Sequence, residues 1–504
     1  MTGRFGTLTL RGVLALAALA VVALPFGVVG YLRYLDVNVG DQEAVPRAVL
    51  AEPALRSWRD QGSRLPAEAA PVVLAYHDVR PLPDATPQDT GPGGRYQYVV
   101  TPEQLDAQLT ALEAAGYRTI SSAEYVAYLQ GAPAPPRSVY LTFDDGTHGL
   151  WTYADKILER HHMRAASYLI TGRIGTHRPY YLSWAEIDRM AGSGRWDFQA
   201  HTHDLHSRVP VADGTEGSQL THRQLDPATG QPEPLATFEA RLTGDVDALH
   251  TDFAAHDLPA PALFAYPFSE TGDADSDTAA TAASERLIGS RFAATLTNKT
   301  REPEPSSRRS AAGGEVGRVE VYASTTPEIL ISQVTEWTAV PPSATDPFAN
   351  AWSWRDEHAE PLSTLAGLTG GQAGPTYGTY LPYASADWDG YRVVADLRGL
   401  TAADTSGSVI VRTDSAAELT VRVHAARVEI LHAGTVVASA PLPASDRHHI
   451  AVRVAGTDTT VTIDGATILH ATSPPGPTST GGFGLAVKPS SAHPLFTGVT
   501  VMPA

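Results

Sequence analysis

The sequence predicts two folded units of different class: an α/β unit built on a parallel, barrel-like sheet, then an all-β jelly-roll sandwich. Three observations carry this. Between residues 71 and 338, short apolar runs alternate with stretches of helical period, the pattern of a parallel sheet with crossover helices. After the Pro-rich "AVPPSATDP" (339–347) the helical period disappears and short alternating strands with turn signals take over. Finally, 504 residues exceed what one core organises.

In chain order, the N-terminus comes first. Between Arg11 and Arg33 lie 21 residues without a charge, "GVLALAALAVVALPFGVVGYL", long enough for a membrane-spanning helix even with Pro25. Arg4 and Arg11 precede it, which orients the tip to the cytoplasm and the bulk outside. Residues 1–35 are therefore expected to be a cytoplasmic tip and transmembrane signal-anchor. A cleaved signal peptide, with Ala18-Leu19-Ala20 as the processing site, is the competing reading. Residues 36–70 are polar, with Pro and Ala and weak periodicity, and read as a stalk or partly helical spacer.

The α/β unit (71–338) offers strands at "VVLAYHDV" (72–79), "SVYLTF" (138–143), "AASYLIT" (165–171), "DFQAHT" (197–202), "LFAYPF" (263–268), "RFAATLT" (291–297) and "GRVEVY" (317–322). Helix starts are marked by capping boxes at Thr101-Pro102-Glu103-Gln104 and Ser183-Trp184-Ala185-Glu186. Phe238, Leu242, Val246, Leu249 and Phe253 form a further helical stripe. The segments "DGTEGSQLTHRQLDPATGQPEP" and "REPEPSSRRSAAGGE" read as surface loops. After a linker at 339–350, residues 351–504 form the sandwich, with "VTIDG" (461–465) as a hairpin signal.

Composition narrows the function. A net charge of −18 excludes nucleic acid as the main partner, because phosphate binding needs a basic surface. The chain has no cysteine, which removes disulfides, thiolate-bound zinc and thiol nucleophiles. Two strings stand out. "VYLTFDDG" puts Asp144 and Asp145 side by side at the end of an apolar strand, a costly arrangement unless something recruits the charges. "FQAHTHDLHS" places His201, His203 and His206 within six residues. Both strings fall at the C-terminal ends of strands, where parallel α/β sheets place their chemistry. Imidazoles with one carboxylate are the ligand set of a catalytic zinc with an open position, and the second carboxylate is then free to serve as a general base.

"LTFDDG" followed by "HT…H", with "VVLAYHDV", "TPEQLDAQLTALEAAGYRTIS" and "FAYPF" in the same order, resembles the polysaccharide deacetylases with a NodB-homology domain, across 71–338. The resemblance implies a distorted (β/α) barrel of about seven strands and metal-dependent hydrolysis of N-acetyl groups on an N-acetylglucosamine-containing glycan. It implies Asp144 as general base and Asp145 as metal ligand. Most members space their metal histidines as H-[ST]-x-x-H, but position 205 is Leu; "HTHDLH" matches the H-T-x-x-L-H of the poly-β-1,6-N-acetylglucosamine branch, giving His201 and His206 as ligands. Zn²⁺ is the implied metal, with Co²⁺ or Ni²⁺ as alternatives. "FAYPFSE" resembles the motif whose Pro267 and Phe268 line the site, with the Phe268 N–H as oxyanion donor. The family's base-orienting arginine is replaced by Ala265, its glycine by Ser269, and the late Leu-His motif that carries the general acid is not visible. His77, Asp78, His203 and His148 are the remaining candidates for an acid or a supporting role.

The sandwich resembles concanavalin-like and laminin-G-type jelly rolls through "HHIAVRVAGTDTTVTIDGATIL". Trp352, Trp354, Trp388 and Tyr391 are its candidate sugar-stacking residues, the alternative being that they pack inside it. The leading expectation is an anchored extracytoplasmic carbohydrate deacetylase with a polysaccharide substrate. Two others remain open: a catalytically lapsed glycan-binding or cell-wall protein, motivated by the missing arginine and acid, and an O-acetyl esterase on the same fold.

Overall fold

The computed structural model describes residues 39–64, 70–177, 179–211, 214–272, 277–298, 305–370, 374–490 and 492–504. The expected transmembrane helix at 12–32 lies outside the described residues, and among these no helix is long and apolar enough to cross a membrane.

The first unit is a nearly closed parallel sheet. Its strands are β1 (Val72–Tyr76), β2 (Arg118–Thr119), β3 (Ser138–Phe143), β4 (Ala165–Leu169), β5 (Trp196–Ala200), β6 (Leu263–Ala265), β7 (Ala294–Thr297), β8 (Val316–Gly317) and β9 (Val319–Glu320). The order is β8–β7–β6–β5–β4–β3–β1–β9, with β2 beside β3. The two end strands, β8 and β9, are one stretch of chain interrupted at Arg318. β8 pairs with β7 and β9 pairs with β1, both parallel, so the segment 316–320 brings the two edges of the sheet together. An edge left open would expose unpaired backbone groups.

Both faces of these strands are covered, which is why they read as unbroken apolar runs. Along β3, Val139, Leu141 and Phe143 join the core beneath the helices, while Tyr140 points into the barrel with Val73, Tyr125 and Tyr168. Tyr125 stacks on Tyr140 at 5.0 Å, and the Tyr140 hydroxyl lies 3.2 Å from that of Tyr168. The barrel is thus a packed interior rather than a channel.

Most of the helices begin at a side-chain cap. α1 (Glu52–Arg64) precedes β1, followed by α2 (Pro102–Ala114), α3 (Ser122–Leu129), α4 (Asp155–Arg160), α5 (Trp184–Gly192), α6 (Leu235–Ala255), α7 (Thr278–Arg291), α8 (Arg308–Ala312) and α9 (Pro327–Trp337). The Thr101/Gln104 and Ser183/Glu186 capping boxes are both formed. The stripe Phe238, Leu242, Val246, Leu249 and Phe253 is the buried face of α6. A five-residue π-helix, Leu150–Ala154, leads into α4.

Three segments read as spacers or surface loops carry packing instead. Residues 39–64 lie against the barrel, with Val45 and Trp58 buried in its core and the Gly62 backbone so close to Ala115 that a Cβ would collide with its carbonyl. Within the 213–234 segment, Ser218, Gln219, Leu220 and Thr221 are buried. In 305–315, α8 is wedged between the two domains with Arg309 buried. Polar composition hid these roles because a few scattered apolar residues, Val45, Trp58 and Leu220, anchor the segments and hydrogen bonds satisfy the polar groups buried beside them.

The second unit is a sandwich of antiparallel sheets, β10 (Trp354–Arg355), β11 (Tyr377–Tyr380), β12 (Gly390–Arg398), β13 (Ser406–Val411), β14 (Leu419–His424), β15 (Arg427–His432), β16 (Thr435–Pro441), β17 (Arg447–Ala455), β18 (Asp458–Ile463), β19 (Ala466–Thr472), β20 (Phe483–Lys488) and β21 (Leu495–Pro503). One sheet runs β10–β11–β20–β13–β14–β15–β16 and the other β19–β18–β17–β12–β21. Alternate residues such as Val409, Val421, Val452 and Val461 fill the space between them.

The sandwich docks at the N-terminal end of the barrel strands. Asp387 is the joint: one carboxylate oxygen accepts from the Arg309 N–H at 3.1 Å, the other from the Arg308 N–H at 3.2 Å and the Tyr128 hydroxyl at 3.1 Å. Arg309 Nη1 in turn donates to the carbonyls of Thr413 and Thr480.

Candidate functional site

At the opposite end of the barrel, the loops that follow the strands enclose a cleft of about 340 Å³ lined by His77, Asp144, Asp145, His201, His206 and Glu320, among others. Each piece arrives because a strand ends there. β1 delivers His77, β3 the two aspartates, β5 His201, β6 the Pro267–Ser269 turn and β9 Glu320. The turns are tight. Asp145, Thr202, Phe268 and Ser269 all have φ between 56° and 76°, a region that costs non-glycine residues about 1–3 kcal/mol and that concentrates at functional sites.

Asp145, His201 and His206 converge. His201 Nε2 and His206 Nε2 lie 3.5 and 3.3 Å from Asp145 Oδ1 and 3.1 Å from each other. His201 Nδ1 donates to the Ala265 carbonyl at 2.8 Å, which leaves its Nε2 as a bare lone pair aimed at the others. Two imidazole nitrogens facing a carboxylate oxygen form a donor set that fits a divalent cation, and one ligand atom from each residue falls within 4.8 Å of the others. Burial pushes the Asp145 carboxyl up, but hydrogen bonds from both histidines outweigh it and hold it well below the usual carboxylate range.

Asp144 is buried and held by Arg318. Nη1 and Nη2 of Arg318 donate to Oδ1 and Oδ2 of Asp144 at 2.8 and 2.7 Å, a bidentate pair, and Nη1 also reaches Thr142 Oγ1 at 3.0 Å. The arginine beside Asp144 thus comes from the junction of β8 and β9, not from position 265. Burial raises the Asp144 carboxyl, while the charge of Arg318, then His201, lowers it more, so it stays ionised.

The same strand supplies a second group. Glu320 Oε1 lies 3.3 Å from His77 Nδ1. Burial lowers the affinity of His77 for its proton, but Glu320 outweighs it and the pKa is pushed up to about 9. Arg318, Glu320 and Tyr322 stand at alternate positions, so the pleat aims all three to one side, and Glu320 and Tyr322 line the cleft with His77. Sequence reasoning missed Arg318 and Glu320. The available signal was the charged alternation in "GRVEVY" within a sheet otherwise apolar on both faces.

Pro267 is buried and Phe268 exposes its ring at the cleft, 5.0 Å from the His206 ring. Other expected residues are elsewhere. His203 turns to α6, its Nδ1 2.9 Å from Asp252 Oδ2 and its N–H donating to Asp245. His148 faces Glu186 at 3.2 Å. Asp78 pairs with Arg80 at 2.9 Å and its carboxyl is raised by burial; none of these three is among the residues lining the cleft. In the sandwich, Trp354, Trp388 and Tyr391 are buried, donating to Pro347 O, Val340 O and Gly482 O. They are core residues with their polar atoms satisfied, not stacking platforms; Trp352 alone of the four is exposed, at 66%.

Residues 131–284 match the family model described as polysaccharide deacetylase. A poly-β-1,6-N-acetyl-D-glucosamine N-deacetylase of Staphylococcus epidermidis is 34% identical over 142 residues, covering 27% of this chain and 49% of its own length. A protein of the same name from Staphylococcus aureus is 31% identical over 113 residues, 22% of this chain and 39% of its own. The chain thus spans about half the length of the first relative and less of the second. Among solved structures, IcaB from Ammonifex degensii is 22% identical with a TM-score of 0.39, over 53% of this chain and 97% of that one. The stretch containing Asp144, Asp145, His201 and His206 lies inside the residues that are similar to the polysaccharide deacetylase family.

Proposed function

We propose that the protein is a metal-dependent polysaccharide N-deacetylase that removes acetyl groups from a glycan of the poly-N-acetylglucosamine type. The observation that carries this reading is the Arg318-bound Asp144 carboxylate beside the convergent Asp145, His201 and His206. A divalent cation held by those three residues, with zinc the metal we favour, would supply Lewis acidity for the amide carbonyl and lower the pKa of a water toward about 7.

The chain's own residues account for the rest. Asp144, kept ionised and oriented by Arg318, takes a proton from the attacking water. The oxygen adds to the carbonyl carbon, and the Phe268 N–H is the donor we assign to the developing oxyanion. His77, protonated and backed by Glu320, gives its proton to the sugar nitrogen as the C–N bond breaks. Acetate and a free amine result. Exposed rings at the cleft, Tyr98, Tyr322 and Phe268, suit the apolar faces of sugar rings.

The Arg318 contact to Asp144 and the His77–Glu320 pair lie where the binding-only reading saw two gaps, and we take them as support for turnover over binding alone. The test is acetate release from β-1,6-linked N-acetylglucosamine oligomers and from O-acetylated xylan, by wild type and Asp144→Asn, at measured metal content. Release from the first substrate only, abolished by the substitution, is expected. No acetate from any acetylated glycan at full metal occupancy would overturn the proposal, and release from xylan alone would convert it to an esterase.

The uncharged stretch 12–32 supports single-pass anchoring with the barrel outside the cytoplasm. Protease protection of the barrel in intact cells would overturn this.

A further inference from the structure

The turn that carries Asp145 continues through Gly146, Thr147 and His148 into the π-helix Leu150–Ala154. A π-helix is a rare local departure from the α-helix that is frequent at functional sites. One side of this stretch is fixed by the barrel: the Leu182 N–H donates to the Gly146 carbonyl at 3.0 Å and the His148 N–H to that of Tyr180 at 2.8 Å. The other side is fixed by a segment that precedes the barrel altogether.

Residues 40–43 supply that second side. The Trp151 Nε1–H donates to the Gly40 carbonyl at 2.6 Å, and the Glu43 N–H donates to the Thr152 carbonyl at 2.9 Å. Gln42 Nε2 reaches the Trp151 carbonyl at 3.3 Å and Asp155 Oδ2 at 2.8 Å. The Gly40 N–H donates to Glu186 Oε1 at 2.6 Å, the same oxygen that His148 faces. The fit leaves no room for a side chain: a Cβ on Gly40 would fall 2.6 Å from His148 Nε2. Farther along, the segment does something different. Val45, Trp58 and Gln61 pack against the barrel helices, Gln61 donating to Thr335 Oγ1 at 3.1 Å.

We propose that residues 40–43 are positioning residues of the active site: they clamp the π-helix and, through it, set where Asp145 stands relative to His201 and His206. The effect on turnover rests on the deacetylase reading; the effect on metal binding does not. Outer contacts that orient ligands change metal affinity or activity by about 10–100-fold when removed, and small misplacements of a reacting group act on rate rather than on substrate affinity.

The test uses the full chain with Gln42→Ala, Gly40→Val and, as control, Gln61→Ala. Three quantities are measured: kcat and KM on an N-acetylglucosamine oligomer, zinc affinity by chelator competition, and Tm. The expected result is about a tenfold loss of both zinc affinity and kcat in Gln42→Ala, at unchanged KM. Gly40→Val is expected to lose more, and Gln61→Ala to lower Tm with zinc affinity and kcat intact. Wild-type zinc affinity and kcat in Gln42→Ala, or equal losses in Gln61→Ala, would overturn the proposal. If the wild type releases no acetate, the deacetylase reading fails and zinc affinity alone decides the role of the clamp.

Discussion

Replacing Arg318 with methionine removes the cation facing Asp144 while keeping a long side chain in a fully buried position. Asp144 is then a carboxylate with 2% of its side chain exposed and no guanidinium. Breaking a buried pair from one side costs about 3–5 kcal/mol, far above the ~1 kcal/mol of an exposed pair. For a unit of this size, at about 2–4 °C per kcal/mol, Tm falls by about 6–20 °C at neutral pH. The pH dependence separates charge from packing. In the wild type the Asp144 carboxyl titrates below its ordinary value, so the folded chain holds fewer protons than the unfolded one across that window. The resulting stabilisation is complete above the unfolded pKa of about 3.9 and is lost as pH falls through the folded value. In the variant, burial acts without the arginine and raises the carboxyl, so the penalty is greatest at neutral pH and disappears on protonation. Calorimetry from about pH 7 down to about pH 4 should therefore show the Tm gap between the two proteins closing. Acetate release should fall by about 10²–10⁴ at neutral pH, with the acid limb of kcat/KM moved upward. Arg318→Lys keeps the charge without the fork and should recover stability more than rate. A Tm gap that stays constant with pH, or a kcat/KM profile unchanged in Arg318→Met, would refute the reasoning.

Glu320→Gln removes the charge that raises His77 to about 9, so the alkaline limb of the activity profile moves to lower pH. The pair's stabilisation is complete below the unfolded histidine value of about 6.5 and lost as pH rises through about 9, so the Tm difference between wild type and this variant should narrow between those limits. Saturating zinc at about 100 times its Kd should stabilise the protein by about 2.7 kcal/mol; a chelator should reverse this, and His206→Ala should show neither effect. Asp387→Ala leaves two partly buried amides and a tyrosine hydroxyl without their acceptor, each costing at most about 1–3 kcal/mol. Calorimetry should then show two separated transitions, with activity on soluble oligomers retained.

The parts of the site visible in the sequence are those written in one short string. "TFDDG" and "HTHDLH" each place a candidate ligand at a strand end, and the helix caps were legible because a capping box is local. Arg318 and Glu320 escaped because their partners, Asp144 and His77, lie more than 170 residues away in the chain. Alternating charge in a short strand ordinarily signals a solvated face; in a barrel sheathed by helices there is no such face, and the charges point to the mouth instead. His203 and His148 misled for the converse reason. Each neighbours a candidate ligand in sequence, but their side chains are committed to Asp252 and Glu186. The tryptophans of the sandwich show that aromatic type alone does not separate a binding platform from a core residue.

The docking of the sandwich at the far end of the barrel bears on how a long polymer is handled. A module beside the cleft would lengthen the track along which successive sugars lie; one on the opposite pole cannot. A ligand held by the sandwich would therefore act on the cleft as a mooring does, through local concentration rather than alignment. On the deacetylase reading, deleting such a module should leave turnover of short soluble substrates untouched and matter only where the glycan is long enough, or immobile enough, to be held at one pole while acetyl groups are removed at the other.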